Sequence, residues 1–254
     1  MTEDSIPLMA HLEALRRGLI IASGTWLVAF VSLYGFSDKL FLRIAEPLKE
    51  ALPEGSSLVF LTATEPFFTY LRLAAVAALV GTLPVILWQV WSFITSGLRV
   101  ERNGLGALFI VGSCLAFLNG AYLGFSYVFP LIVRVLVHFG TDAGSVNAML
   151  SMGDYLSLAM TMMLAFGLVF ELPVLMMILS RLGIANSQWF ATRRKYMLIV
   201  AFVFGAIITP GPDVLSQCSI AVPFVVLYEL GILGARLSRE ASPVKSAAKD
   251  SVGG

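Results

Sequence analysis

Charge is scarce in this sequence. Of 254 residues, 17 are Lys or Arg and 16 are Asp or Glu, 13% in all, against 58% hydrophobic. Soluble domains carry about 25% charged residues, so half that share excludes most soluble folds. The same hydrophobic content excludes a disordered chain. A formal net charge of +1 gives no field that would recruit nucleic acid. Cysteine is nearly absent. Cys114 and Cys218 lie in apolar stretches; they are too few for a disulfide framework or a zinc site and read as inert buried thiols. The two histidines, His11 and His138, fall at opposite membrane faces in the topology derived below, which excludes a shared metal centre or a serine–histidine pair. No GxSxG, HExxH or Walker pattern occurs. Enzymatic chemistry, a metal or a cofactor is therefore not expected. Nor is a cleavable signal peptide, because Glu3, Asp4 and Glu13 precede Arg16 and Arg17 where a signal would be basic.

Long apolar runs take the place of charge. Six spans are predicted, at residues 19–36, 68–94, 105–128, 155–180, 196–209 and 214–235; a bilayer core of about 30 Å needs about 20 residues. The fifth is short. About fourteen helical residues reach roughly 21 Å, so that span must thin the bilayer or be shielded by neighbours. Pro210-Gly211-Pro212-Asp213 then supplies a turn. Arg16, Arg17, Arg99, Arg102, Arg181, Arg193, Arg194, Lys195 and Arg236 fall on one side. Basic residues are retained in the cytoplasm, so both termini are expected there. The expected fold is an all-α membrane protein with six transmembrane helices in residues 1–237, followed by a disordered cytoplasmic tail at 238–254. In the longest outer loop Leu40, Phe41, Ile44 and Leu48 recur at helical spacing. They predict a short amphipathic helix against the outer face. No internal repeat is visible, which counts against a secondary transporter.

Glu171 is the sharpest chemical feature. It lies about ten residues from the inner end of the fourth span, roughly 15 Å deep, two residues before Pro173. An acid at such depth costs about 2.5–3.5 kcal/mol on insertion scales and is functional by default. Three structural alternatives stand beside that reading: a neutral carboxyl, a polar partner on another helix, and a wet cavity. Glu101 is the only acid in the loop 98–103. It pairs either with Arg99 or Arg102, a surface contact of about 0–1 kcal/mol, or with a basic partner. Leu8, His11, Leu12 and Leu15 share one face of an interfacial helix whose Arg16 and Arg17 snorkel. Asp213 suits the start of the sixth span as a cap, and Gln217 places an amide one turn on. A proton-coupled solute transporter using Glu171 is the alternative these features leave open.

Several motifs occur together and in order: HLEALRR at 11–17, AEPL at 45–48, PVILWQVWSFI at 84–94, ERN at 101–103, FGLVFELPV at 166–174 and TPGPDVLSQ at 209–217. In these the chain resembles the TatC family, the multispanning subunit of the twin-arginine protein translocase, over about residues 5–236. The resemblance implies a non-enzymatic receptor for signal peptides with a consecutive Arg pair, exporting folded proteins across the bacterial cytoplasmic membrane by the proton-motive force. It implies a signal-peptide site of Glu101, Glu13, Arg16, Phe93 and His11. Ala14 stands where the family's N-terminal glutamate is usual and Glu13 precedes it, a rotation of about 100° on a helix. Ser96 replaces a usual proline, and Gly211 is an added residue in the turn. The resemblance also places Glu171 on a concave face of the bundle, with Gln217, as polar contacts for partners within the membrane, and Pro47 and Asp213 as structural residues of the outer cap. The implied partners are single-span TatB- and TatA-like proteins, further copies of the chain in a homo-oligomeric receptor, and the lipid bilayer.

Overall fold

The computed structural model describes residues 5–50, 57–98, 105–141, 149–209 and 214–240. The protein is an all-α membrane protein. Five of the described helices are long and apolar enough to cross a membrane: Leu12–Tyr34, Glu65–Thr95, Gly106–Val135, Met152–Arg181 and Val214–Ser238. A further apolar helix, Arg194–Ile208, has 15 residues and corresponds to the short fifth span. Residues 1–166 and 167–254 form two compact units, each with its own packing.

In the first unit, α1 (Ser5–Tyr34) packs along α3 (Glu65–Leu98). Trp26 Nε1 donates to the Ala75 carbonyl at 3.2 Å, and Gly18 lies against Gln89. Residue numbers rise on α1 as they fall on α3, so the pair is antiparallel. Between them α2 (Ser37–Glu50) carries the predicted amphipathic pattern. Phe41 meets Tyr70 of α3 edge-on at 5.3 Å, while Leu42 on the other face is exposed. Leu73, Ala74, Ala78, Leu87 and Trp91 form the buried stripe of α3. Thr69, Thr82 and Thr95 return their hydroxyls to carbonyls four residues back, which satisfies them inside an apolar helix.

α4 (Leu105–Leu123) runs through a π-helical turn, Gly124–Val128, into α5 (Phe129–Thr141). The third predicted span stops at residue 128, before Pro130, whereas the helix passes through the proline. Pro130 cannot donate to a carbonyl in the preceding turn, and it sits two residues after a turn whose hydrogen bonds already skip to the wider π spacing. Gly124 is required there by close approach. A Cβ at this position would lie 2.6 Å from the Met162 carbonyl and 2.8 Å from Phe166 Cβ, both on α6 (Met152–Arg181). Gly124→Ala is expected to lower the thermal unfolding midpoint in detergent, at a cost of about 1–3 kcal/mol for overpacking. Gly81→Ala, where a Cβ meets nothing within 4 Å, is the matched control and is expected to leave the midpoint unchanged.

The second unit holds the C-terminal half of α6, α7 (Ser187–Thr192), α8 (Arg194–Ile208) and α9 (Val214–Glu240). α6 ends where Gly183 turns into the left-handed region at φ 75° and Ile184 N donates back to the Leu179 carbonyl at 3.0 Å. Asn186 then caps α7, its Oδ1 accepting from Trp189 N at 2.7 Å. α6 and α9 run parallel and close: Gly231 faces Met176 and Pro173, Gly234 faces Met177, and Ser180 Oγ donates to the Ala235 carbonyl at 2.9 Å. α9 continues to Glu240, three residues beyond the predicted end of the membrane domain. The rest of the predicted tail, 241–254, lies outside the described residues.

Candidate functional site

The antiparallel α1–α3 pair brings several of the candidate residues to one end of the first unit. Gly18 touches Gln89; one turn back along α1 is Ala14, and one turn on along α3 is Phe93. Ala14 and Phe93 therefore stand at the same level. Phe93 is half-buried, Ala14 is half-buried, and Glu13 and Arg16 are exposed on either side of it. On α1, Ala14 is thus the more shielded of the two and Glu13 the open one. His11 belongs to α1, but its side chain is outside the described residues. Glu101 also lies outside them, three residues past the end of α3 at Leu98.

Glu171 is half-buried on α6. Pro173, two residues on, packs against Gly231 of α9, which sets the level of Glu171 beside the middle of α9. Gln217 is not its neighbour. It sits near the start of α9, about twelve residues and so roughly 18 Å further along the axis. There its Nε2 donates to the Phe202 carbonyl of α8 at 2.8 Å. Gly205 allows this approach, since a Cβ there would be 3.0 Å from the Gln217 carbonyl. Gln217 therefore fastens α8 to α9 near the start of α9. Asp213 lies between α8 and α9 in the sequence, outside the described residues, and Pro47 is in α2 with its side chain likewise outside them.

Two polar junctions were not foreseen from the sequence. Arg194, at the start of α8, makes a two-pronged ion pair with Glu229 of α9: Nε to Oε1 at 2.7 Å and Nη2 to Oε2 at 2.8 Å. The pair fastens the same two helices at the start of α8 and neutralises an acid inside an apolar helix. Beside it, the Arg193 guanidinium stacks on Trp189 at 3.7 Å. The second junction is at the other end of the first unit. Glu65, in the first turn of α3, accepts from Ser151 Oγ and Gly153 N at 2.6 Å each through Oε1, and from Leu61 N at 2.7 Å through Oε2. Ser151 Oγ also accepts from Asp154 N at 3.2 Å, capping α6. Two short strands, Ser57–Val59 and Met149–Ser151, pair in parallel beside this carboxylate. The only local hint was an S-x-x-D cap at 151–154; the partner Glu65 is 86 residues away. Among the described residues no cluster of His, Cys, Asp and Glu could hold a metal ion.

Comparison with known proteins agrees in family and in fold. A family profile described as TatC, Sec-independent protein translocase protein, matches residues 10–223. The Sec-independent protein translocase protein TatC of Carboxydothermus hydrogenoformans is 35% identical over 236 residues, covering 93% of this chain and 95% of that protein. The protein of that name from Escherichia coli strain K12 is 35% identical over 234 residues, covering 92% and 90%. A crystal structure of the twin arginine translocase receptor TatC superposes with a TM-score of 0.80 at 32% identity, over 90% of this chain and 99% of that one.

Proposed function

The chain belongs to the TatC family, a multi-pass membrane component of the Sec-independent protein translocase, and from that premise we propose that it is the translocase's signal-peptide receptor. It recognises a consecutive Arg pair on folded cargo and serves as the core on which single-span TatB- and TatA-like proteins assemble. It works in the bacterial cytoplasmic membrane with both termini inside, uses the proton-motive force and catalyses no reaction of its own.

The observation that carries this reading is the α1–α3 geometry. The packing of Gly18 on Gln89 supports it, since Glu13 and Arg16 of α1 and Phe93 of α3 then lie toward the same end of the helix pair, and Glu101 follows α3 in the sequence. Two guanidinium groups present planar forks of N–H donors, and a carboxylate accepts such a fork through both oxygens; an ammonium group cannot copy that geometry. Glu101 and Glu13 are the acids for the two forks. Phe93 offers an apolar face to the residues that follow the pair, and Arg16 holds the N-terminal segment at the bilayer surface. Glu171 and the short α8 thin the hydrocarbon locally around the second unit, which lowers the barrier that polar cargo must cross. Family membership leaves the solute-transporter alternative without an observation of its own.

An export assay tests the proposal. In cells lacking their own copy, this chain together with its single-span partners is expected to restore export of a folded reporter carrying an Arg-Arg signal. Export should stop on adding a protonophore. Export that persists without the proton gradient, or that proceeds equally well without the chain, would contradict it.

A further inference from the structure

Positive charge gathers where α7 meets α8, at the mouth of an apolar cleft. Arg193, Arg194 and Lys195 are consecutive and exposed. Arg194 engages both oxygens of Glu229, so the acid at this mouth is already neutralised. Among the described residues Arg193 and Lys195 have no carboxylate partner. Arg193 instead stacks on Trp189 and donates through Nη1 to the Trp189 carbonyl at 3.1 Å. The Tyr228 hydroxyl donates to the next carbonyl, that of Phe190, at 2.9 Å, which holds this corner against α9. Lys195 and the Arg194–Glu229 pair rim a cavity of about 250 Å³, walled by Met197 and Leu198 of α8 and by Val225 and Tyr228 of α9. Gly231 faces α6 and Glu229 stands about 200° round α9 from it, so the cleft opens on the side turned away from α6. Toward the start of α9 the same face continues apolar: Val222, two turns from Glu229, is exposed. Trp189 and Tyr196 are exposed beside the cations, and this mixture of aromatic and basic residues marks the level of lipid head groups.

We propose that this cleft is a binding site for one anionic phospholipid, its phosphate held by Lys195 and Arg193 and an acyl chain lying along Met197, Leu198 and Val225. Charge complementarity selects the occupant. Two uncompensated cations at the mouth attract an anion, and the walls below them are covered best by hydrocarbon. An anionic phospholipid carries both parts in the same order of depth. A zwitterionic lipid fits the walls but brings its own cation to a mouth that is already positive. A free phosphate meets the cations and leaves the walls bare. A partner helix would need an acid at this level followed by an apolar stretch narrow enough for the cleft. The site uses none of the residues assigned to the signal peptide, so its test is independent of that role.

Native mass spectrometry of the purified, delipidated chain tests this without reference to transport. Each basic residue beside an anionic headgroup contributes about fivefold in affinity. Titrated in detergent, the chain is therefore expected to hold one phosphatidylglycerol about thirtyfold more tightly than phosphatidylcholine. Lys195→Gln is expected to cut that preference about fivefold, and Lys195→Gln combined with Arg193→Gln to remove it. Arg181→Gln takes one charge from the exposed end of α6 and is expected to leave the preference unchanged. Thermal unfolding in the same detergent checks that the double variant is folded; Lys195 is exposed, so the single variant keeps its fold and decides the matter alone if the double does not. Excess glycerol 1-phosphate, a headgroup without tails, is expected not to displace the lipid. In native membranes a photoreactive group at Leu198 is expected to gain the mass of a phospholipid. Equal affinity for the two lipids, an unchanged preference in Lys195→Gln, displacement by glycerol 1-phosphate, or a Leu198 adduct to protein alone would each overturn the proposal.

Discussion

Glu101→Lys is expected to abolish cross-linking of an Arg-Arg signal peptide, and Glu101→Gln to weaken it severely. The glutamate is the single acid in a loop otherwise carrying Arg99 and Arg102, so the loop's attraction for cations rests on one side chain. A charge-assisted hydrogen bond contributes about 1.5–3 kcal/mol, and a bidentate guanidinium–carboxylate pair makes two of them. Losing that pair predicts a fall of about a hundredfold or more in affinity. Lysine adds repulsion to the loss and takes binding below detection. Glu13→Gln is expected to have a smaller effect, because Glu13 is exposed on α1 and solvent screens it. Photocross-linking of a labelled peptide in membranes measures both. Undiminished cross-linking to Glu101→Lys would remove the loop from the site.

Glu171→Leu is expected to leave the fold intact and to reduce export by about tenfold or more, with Glu171→Gln milder. Leucine suits the surroundings: Val169 of the same helix packs in a cluster with Ala201, Ala221, Phe224 and Leu227. Removing an acid from that depth relieves an insertion cost of about 2.5–3.5 kcal/mol, so detergent stability should not fall. What is lost, in the proposed function, is the polar group that draws water into the hydrocarbon and meets a partner helix. Glutamine keeps polarity without charge, which separates the two contributions. Export assays paired with thermal unfolding decide the matter, and wild-type export from both variants would make Glu171 a structural residue only.

The spans were legible because a bilayer imposes length: nothing but a long apolar helix crosses it with every backbone group satisfied. α2 was legible because it lies where water meets the bundle, so Phe41 and Leu42 take opposite fates. Inside the membrane that signal vanishes. Phe117 is buried and Leu118 exposed on the same turn of α4, yet both are apolar, and no periodicity tells a lipid-facing surface from a packed one. The polar junctions were hidden for another reason. Glu65 reaches Ser151 across 86 positions and Arg194 reaches Glu229 across 35, and pairs so far apart leave no local pattern. In the sequence Arg194 is only one of three consecutive cations just before the fifth span. Glu13 shows the reverse case. Its displacement from the family's usual position was plain in the sequence, and on α1 Glu13 is exposed while Ala14 is half-buried.

The central claim is that carboxylates at one end of the α1–α3 pair select guanidinium geometry and not merely positive charge. Titrating the purified chain with two otherwise identical signal peptides, one carrying Arg-Arg and one Lys-Lys, tests this most directly. The account predicts that the Arg-Arg peptide binds at least about tenfold more tightly, and that the preference shrinks in Glu101→Gln. Equal affinities for the two peptides, with a preference no different in Glu101→Gln, would contradict it.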